Sequence, residues 1–204
     1  MKKLTMLLLV IALVFSAALA EPLSKSALFG SWSDSNYTNE TIGLGFTVGD
    51  WHLYSQEEIM AANQWQDIVT DEQVAEMIAS AQQFMIMQAE RADKLQNVNI
   101  GMQDMSEYAA MIPYLDMDEF VGIQVSQVKT ALEGMSVTDF QAEQGVYTVG
   151  DEEWHGFTGS YTLMGIPMHV RQAYVFRDTY LVIITATTAL EDNTGDIYAR
   201  FYAI

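Results

Sequence analysis

The last part of the sequence limits the fold more strongly than any other part. Three segments of strand length follow one another there: Trp154–Leu163, Met168–Phe176 and Tyr180–Thr188. Short turns separate them, at Gly165–Ile166–Pro167 and at Arg177–Asp178–Thr179. Strands joined by tight turns pair antiparallel, so this region predicts an antiparallel meander. In Tyr180–Thr185 both alternating faces are largely apolar, which predicts helices above and below the sheet.

Alternating apolar residues predict further strands before the meander. The segment Ile42–Val48 alternates apolar residues with glycine or threonine, the period of two that is typical of a strand. Phe84–Met87 and Val98–Met102 flank a polar stretch, and we interpret them as a hairpin. Two more strands are predicted at Val137–Phe140 and Gly145–Val149.

Capping signals predict where the helices begin. Ser55–Glu58 and Thr70–Gln73 have the form of capping boxes, and Asp116–Glu119 places acids at the positive end of a helix dipole. Apolar residues at helical spacing follow the last two signals. After Thr70–Gln73 they are Val74, Met77, Ile78 and Ala81. After Asp116–Glu119 they are Met117, Val121, Val125, Val128, Leu132 and Met135, and this helix is expected to end near Gly134. A short closing helix is predicted over Gly195–Ile204. The expected class is α+β, with helices on both faces of an antiparallel sheet.

Residues 1–20 have the pattern of a secretory signal peptide. Two lysines precede the apolar run Leu4–Val14, and Ala18–Leu19–Ala20 matches a small-residue cleavage site. The apolar run is shorter than the roughly 20 residues that a membrane-spanning helix needs. An uncleaved membrane anchor is therefore the weaker alternative, and we expect a secreted or extracytoplasmic protein.

Cleavage after Ala20 would leave a tether at residues 21–29 and a single domain at residues 30–204. The 204 residues carry a formal net charge of −18 and no cysteine. All 27 acids but only seven of the nine bases lie beyond residue 20, so the cleaved chain carries −20. This charge disfavours nucleic acid and anionic membrane surfaces as partners. Without cysteine the exported chain has neither disulfides nor thiol chemistry.

Four segments carry a family resemblance: Tyr37–Thr38–Asn39, Gly45–Val48 running into Trp51, Asn97–Ile100 and Tyr180–Thr187. In these segments the sequence resembles the PsbP-like family of α/β/α sandwiches, in its uncharacterised exported bacterial branch. The resemblance extends from about Trp32 to the end of the chain. It implies a three-layer sandwich and a non-enzymatic accessory or binding role. No catalytic motif of the family can be transferred residue by residue.

One group of residues has the chemistry of a weak metal site. Glu152 and Glu153 stand beside His155, and His169 could join them from a neighbouring strand. Imidazole and carboxylate ligands suit zinc or a similar ion, although a motif such as H-E-x-x-H is missing. The alternative, a solvated polar turn followed by a histidine in an edge strand, is the more common arrangement.

A hydrolase site is a second hypothesis. Nucleophilic catalysis commonly combines a serine or cysteine with a histidine base and an orienting acid. The chain has three histidines but no cysteine and no Gly-x-Ser-x-Gly motif. Such a site would therefore have to be assembled from distant residues.

Two further patterns have simpler explanations. Asp192–Asp196 is similar to the start of a calcium loop, but its twelfth position is Ala203 rather than the required glutamate. Met85, Met87 and Met102 have the thioethers that hold Cu(I), yet flexible core packing explains them better.

The sequence therefore predicts a secreted, non-catalytic accessory or binding protein, with no catalytic residues and no cofactor. Its partner is an unknown protein or small ligand, not nucleic acid, and we expect a monomer without membrane insertion after cleavage. A divalent-cation-binding module and a hydrolase are the alternatives.

Overall fold

The computed structural model describes residues 23–33, 35–68, 70–80, 83–135 and 137–204. The predicted signal peptide at residues 1–20 lies outside these ranges. The helices are α1 Lys25–Phe29, α2 Gln56–Ala62, α3 Asp71–Ser80, α4 Met117–Glu133 and α5 Thr194–Tyr198. The strands are β1 Ser31–Trp32, β2 Asn36–Asn39, β3 Leu44–Thr47, β4 His52–Leu53, β5 Phe84–Glu90, β6 Gln96–Asp104, β7 Val137–Val149, β8 Glu152–Leu163, β9 Ile166–Arg177, β10 Tyr180–Ala189 and β11 Phe201–Ala203.

The strands form two antiparallel sheets. The larger has seven strands in the order β4-β5-β6-β10-β9-β8-β7, and the smaller has the order β1-β2-β3-β11. The predicted hairpin is confirmed as β5 and β6, and the meander as β8, β9 and β10. The two strands predicted at residues 137–140 and 145–149 are one strand, β7, whose register shifts between Thr138 and Gln141.

The two faces of the large sheet bury two separate clusters. The inner face, which carries Val182 and Ile184, packs against the small sheet and against apolar residues of α1, α2, α3 and α5. The outer face, which carries Leu181 and Ile183, packs against α4 through residues such as Val121. Helices thus cover both faces, and the predicted α+β class is confirmed. The expectation of a single sheet is corrected, because part of the inner layer is a second sheet.

The capping signals work as the sequence predicts. Glu58 N–H donates to Ser55 Oγ at 3.3 Å, while Ser55 N–H donates to the Glu58 carboxylate at 2.8 Å. Thr70 and Gln73 make the same reciprocal pair at 3.1 and 3.3 Å. Asp116 accepts two N–H groups of α4, at 2.9 and 3.1 Å. The Ala81 predicted for the face of α3 lies outside the described residues.

Replacing Ser55 by alanine should lower the free energy of unfolding by about 1 kcal/mol, because α2 loses the hydroxyl that caps its first turn. Urea denaturation followed by tryptophan fluorescence measures this. Ser31→Ala is the control, because Ser31 is exposed and makes no side-chain hydrogen bond within the described residues. Equal losses in both variants would argue against the cap.

Both ends of the described chain differ from the predictions. Residues 25–29, assigned to a tether, form α1, and Leu28 and Phe29 are fully buried in the inner core. The closing helix predicted over residues 195–204 ends at Tyr198, and β11 then pairs antiparallel with β3. Gly45 of β3 makes this pairing possible, because a Cβ there would overlap the ring of Tyr202.

Among the described residues, no helix has both the length and the apolar character that crossing a membrane requires.

Candidate functional site

The outer face of the large sheet changes from apolar to polar along its strands. Leu181 and Ile183 of β10 pair with Phe176 and Tyr174 of β9, in the cluster that packs against α4. One step further along the strands, the register places four polar residues side by side: Gln88, Asn99, Thr185 and Gln172. Adjacent strands lie about 4.8 Å apart, so these side chains form a regular row across four strands.

We call the polar part of the outer face the amide face, and its residues are Gln88, Asn97, Asn99, Gln103, Gln172, Thr185 and Thr187. Each of them is partly exposed. None of them is charged, although the chain has 27 acids. Glu90, which pairs with Asn97, borders the amide face at one end, and Asp104 follows Gln103 at the other.

Part of the amide face is held rigidly. Gln172 donates from Nε2 to Thr185 Oγ1 at 2.8 Å and accepts a hydrogen bond from the Tyr174 hydroxyl. Burial raises the pKa of Tyr174, so its hydroxyl stays protonated as a donor at neutral pH. These bonds fix the orientation of the Gln172 amide.

The other amides of this face have no side-chain partner in the described part of the chain. Within the described residues, the side chains of Gln88, Asn97, Asn99 and Gln103 make no hydrogen bond to the protein. Each carries two N–H donors and a carbonyl acceptor. The amide face therefore offers donors and acceptors in alternation to a ligand or to water.

A cleft of about 750 Å³ continues the amide face from Gln103. Its lining includes the buried side chains of Leu181 and Ile183 and, from α4, Phe120, Gln124 and Gln127. Gln83 and the half-exposed Tyr108 line it as well. Gly101 leaves space for the Gln83 amide, since a Cβ there would lie 2.7 Å from Gln83 Nε2.

The cleft has the composition of a recognition site. It combines apolar and aromatic surface with several amides, and its charged lining residues are the acids Asp104 and Glu107. Sites for small ligands commonly pair apolar walls with a few convergent polar groups.

The structure does not bring the four proposed metal ligands together. Glu153 and His155 lie on the outer face, whereas Glu152 and His169 lie on the inner face, because side chains alternate along β8 and β9. His155 pairs with Tyr174, five residues along β9 from His169, a separation of about 17 Å. No group of three or more metal-ligating side chains occurs in the described part of the chain. The metal hypothesis requires Glu152, Glu153, His155 and His169 to converge, and the structure corrects this expectation because the four side chains lie apart.

Two of these four residues have other partners. Glu152 forms an ion pair with Arg177, which also donates to the Ile42 carbonyl at 3.0 Å. His155 Nδ1 lies 2.9 Å from the Asp118 carboxylate at the start of α4. These contacts fasten the ends of strands and helices to their neighbours.

The pair of His155 and Asp118 is also the part of the structure most similar to a hydrolase site. A catalytic histidine needs a nucleophile on its other nitrogen, and no serine or threonine hydroxyl hydrogen-bonds to His155 among the described residues. The side chains of His155 and Asp118 are 38% and 80% exposed, so water screens their interaction.

The calcium-like and copper-like patterns have structural roles. Asp192 accepts hydrogen bonds from the Thr194 N–H and hydroxyl at 3.0 and 2.7 Å, which orders the start of α5. Met87 and Met102 are fully buried in the inner core.

Sequence reasoning missed the amide face. In the sequence, Asn97 and Asn99 stand out only as part of the segment that resembles the PsbP-like family. A usable signal was present, because polar residues alternate with buried Val98, Ile100 and Met102 along β6.

Comparisons with known proteins give distant likenesses. No protein-family model and no curated protein matches the chain. The chain is similar to a Bacteroides thetaiotaomicron protein of known crystal structure, with 7% sequence identity and a TM-score of 0.41. The match covers 83% of this chain and 48% of the Bacteroides protein, so this chain spans about half the length of that protein. LpqN of Mycobacterium tuberculosis, involved in cell envelope biogenesis, is 11% identical with a TM-score of 0.42 over 78% of this chain and 82% of that one. Neither likeness carries an argument about function, and the PsbP-like resemblance stays a prediction.

Proposed function

We propose that this is a non-catalytic binding protein that acts outside the cytoplasm and holds a neutral, hydroxyl-rich ligand, an oligosaccharide, on the amide face and in the adjoining cleft. The observation that carries the proposal is the uncharged, hydrogen-bonding amide face in a chain of net charge −18. The signal-peptide pattern at residues 1–20 supports the location.

The chemistry of the amides favours this ligand class. A sugar hydroxyl donates one hydrogen bond and accepts others, and an amide side chain can both accept from it through its oxygen and donate to it through its N–H groups. A charged ligand would instead require compensating charges at the site. The amide face has none, so it suits a ligand that brings hydrogen bonds without a net charge.

The cleft supplies the apolar half of the recognition. The half-exposed Tyr108 and the partly exposed Phe120 line the cleft, with the buried Leu181 and Ile183 beneath them. The C–H faces of sugar rings suit such apolar and aromatic walls, while their hydroxyls reach the surrounding amides. This combination makes a polar but uncharged ligand a better fit than a purely apolar one.

The test is binding of neutral oligosaccharides to the purified protein, first on an array and then by calorimetry with the best binder. Asn99→Ala and Gln103→Ala should each weaken binding about tenfold, because each removes one or two hydrogen bonds worth about 1 kcal/mol apiece. Both residues are partly exposed strand positions whose side chains make no hydrogen bond within the described residues, so the variants are expected to fold.

Gln141→Ala is the matched control. Gln141 is an exposed strand glutamine that pairs with Ser160, at the far edge of the sheet from Asn99. Its replacement should leave the affinity unchanged. Binding confined to charged glycans, or equal affinities in all three variants, would refute the proposal.

A further inference from the structure

Arg171 differs from the other arginines that the structure describes. Arg91 pairs with Asp93 at 3.2 Å, Arg200 with Asp50 at 3.7 Å, and Arg177 with Glu152. Arg171 has no carboxylate within 4 Å and no hydrogen-bond acceptor among the described residues. In a chain with 27 acids and nine bases, an arginine without an ion pair or hydrogen bond to an acid among the described residues is unexpected.

The guanidinium of Arg171 is fixed between two aromatic rings. Its central carbon lies 4.8 Å from the ring centre of Tyr147 and 5.4 Å from that of Tyr198. Tyr198 is held in turn, since its hydroxyl donates to the Ile184 carbonyl at 2.9 Å. Burial raises the pKa of Tyr198 well above its usual range, so the ring stays neutral. Arg171 is therefore oriented before any ligand arrives.

The same guanidinium has unused donors beside a cavity. Its Nε is buried without an acceptor among the described residues, which is costly for a charged group and leaves this atom out of reach of a ligand; the two terminal nitrogens are not fully buried and also have no acceptor there. A cavity of about 470 Å³ lies next to it, lined by Arg171, Tyr147, Thr148, Tyr198 and Phe201 among others. Gly195 leaves the approach open, because even a Cβ there would stay 3.7 Å from both terminal nitrogens.

We propose that this cavity binds a monocarboxylate with an apolar or aromatic body. The planar guanidinium matches a carboxylate through two parallel hydrogen bonds. The partly exposed ring of Tyr147 and the exposed Val146 provide apolar surface for the rest of the ligand, beside the buried Tyr198 and Phe201. The charge of Arg171 helps to lower the pKa of the Asp192 carboxyl, but Asp192 hydrogen-bonds to Thr194 and makes no ion pair within 4 Å of the guanidinium.

A monoanion fits better than phosphate. The net charge of −18 repels every anion, and a dianion experiences about twice that repulsion. A single arginine neutralises one negative charge and leaves the second uncompensated. The site therefore selects for a carboxylate over inorganic phosphate.

The experiment uses benzoate as probe, with benzamide as its neutral counterpart and inorganic phosphate as the dianion, at matched ionic strength. Titration followed by two-dimensional NMR should show saturable shifts around Tyr147 and Arg171 with benzoate. Benzamide and phosphate should each bind at least about tenfold more weakly than benzoate, because benzamide has no negative charge to pair with Arg171 and phosphate carries a second one that the arginine leaves uncompensated. Equal binding of benzoate and benzamide would overturn the proposal, as would a preference for phosphate.

Substitutions at and away from the cavity test whether benzoate binds at Arg171. Arg171→Gln should abolish benzoate binding, whereas Arg91→Gln should not change it. Gly195→Leu, which extends a side chain towards the guanidinium, should also weaken binding and serves if Arg171→Gln does not fold. Retained affinity in a folded Arg171 or Gly195 variant would refute the site. Asn99→Ala should not affect benzoate, because Asn99 lies on the outer face and Arg171 on the inner one.

Discussion

Replacing Asn39 by leucine should lower the free energy of unfolding by about 3–4 kcal/mol. Asn39 is fully buried and uses both ends of its amide. Its Nδ2 donates to the Leu28 carbonyl at 2.8 Å and to the Tyr37 hydroxyl at 3.0 Å, and its Oδ1 accepts from the N–H groups of Thr41 and Ile42. Leucine has a similar size but leaves these buried groups without partners, each at about 1 kcal/mol or more. Urea denaturation measures the loss.

Asn36→Leu is the control in the same strand. Asn36 is partly exposed, and within the described residues its side-chain amide donates only to Ser35 Oγ. Its replacement should change stability by no more than about 0.5 kcal/mol. If the two variants lose the same stability, the amide of Asn39 does not join α1 to β2 in the way described.

The sequence predicts helix starts and strands well where both interacting partners lie close together in the chain. The three capping motifs depend on bonds between residues two or three positions apart, so the sequence alone contains both partners. Strand alternation likewise identified the meander. By contrast, β11 pairs Phe201 with Phe46, and no local pattern records a partner so far away in the chain. Propensity favoured a helix there, and tertiary pairing overrode it.

The turn between β8 and β9 decides on which faces their histidines lie. The turn predicted at Gly165–Ile166–Pro167 would pair residue 164 with residue 168, so His155 and His169 would share a face but lie about 27 Å apart along the strands. The structure turns at Met164 and Gly165, both with positive φ, and pairs Leu163 with Ile166. Such two-residue turns match the twist of a hairpin. This register puts His155 and His169 on opposite faces and about 17 Å apart, so neither turn brings the two histidines together.

The alternation along β6 indicates part of the amide face, but its extent over four strands depends on the sheet order. Apolar content in Tyr180–Thr185 predicted cover on both sides of β10, and α4 packs beside Leu181 and Ile183 as expected. Thr185 and Thr187 lie further along the same face and are partly exposed. Their neighbours in space, Asn99 and Gln172, come from strands about 90 and 10 residues away in the chain. Only the register brings these side chains into one surface.

Gly156→Ala should destabilise the protein by roughly 3–4 kcal/mol. Gly156 is buried in β8, where it pairs with Ala173 of β9. A Cβ at this position would overlap the Gln172 carbonyl oxygen and lie 2.8 Å from Ala173 Cα. Both obstacles are backbone atoms of the adjacent strand, so no side chain can rotate to relieve the clash. The two strands would have to separate, and overpacking of this kind belongs to the more severe class of single substitutions.

Gly122→Ala is the matched comparison for this prediction. A Cβ at Gly122 of α4 would meet the Gln144 amide nitrogen at 3.1 Å, and that atom is the end of a flexible, exposed side chain. Alanine also favours a helix over glycine by about 0.5–1 kcal/mol. Thermal and urea unfolding should therefore show Gly122→Ala equal to or more stable than the parent. Parental stability in Gly156→Ala would contradict the close pairing of β8 with β9, and with it the register that places Gln172 on the amide face.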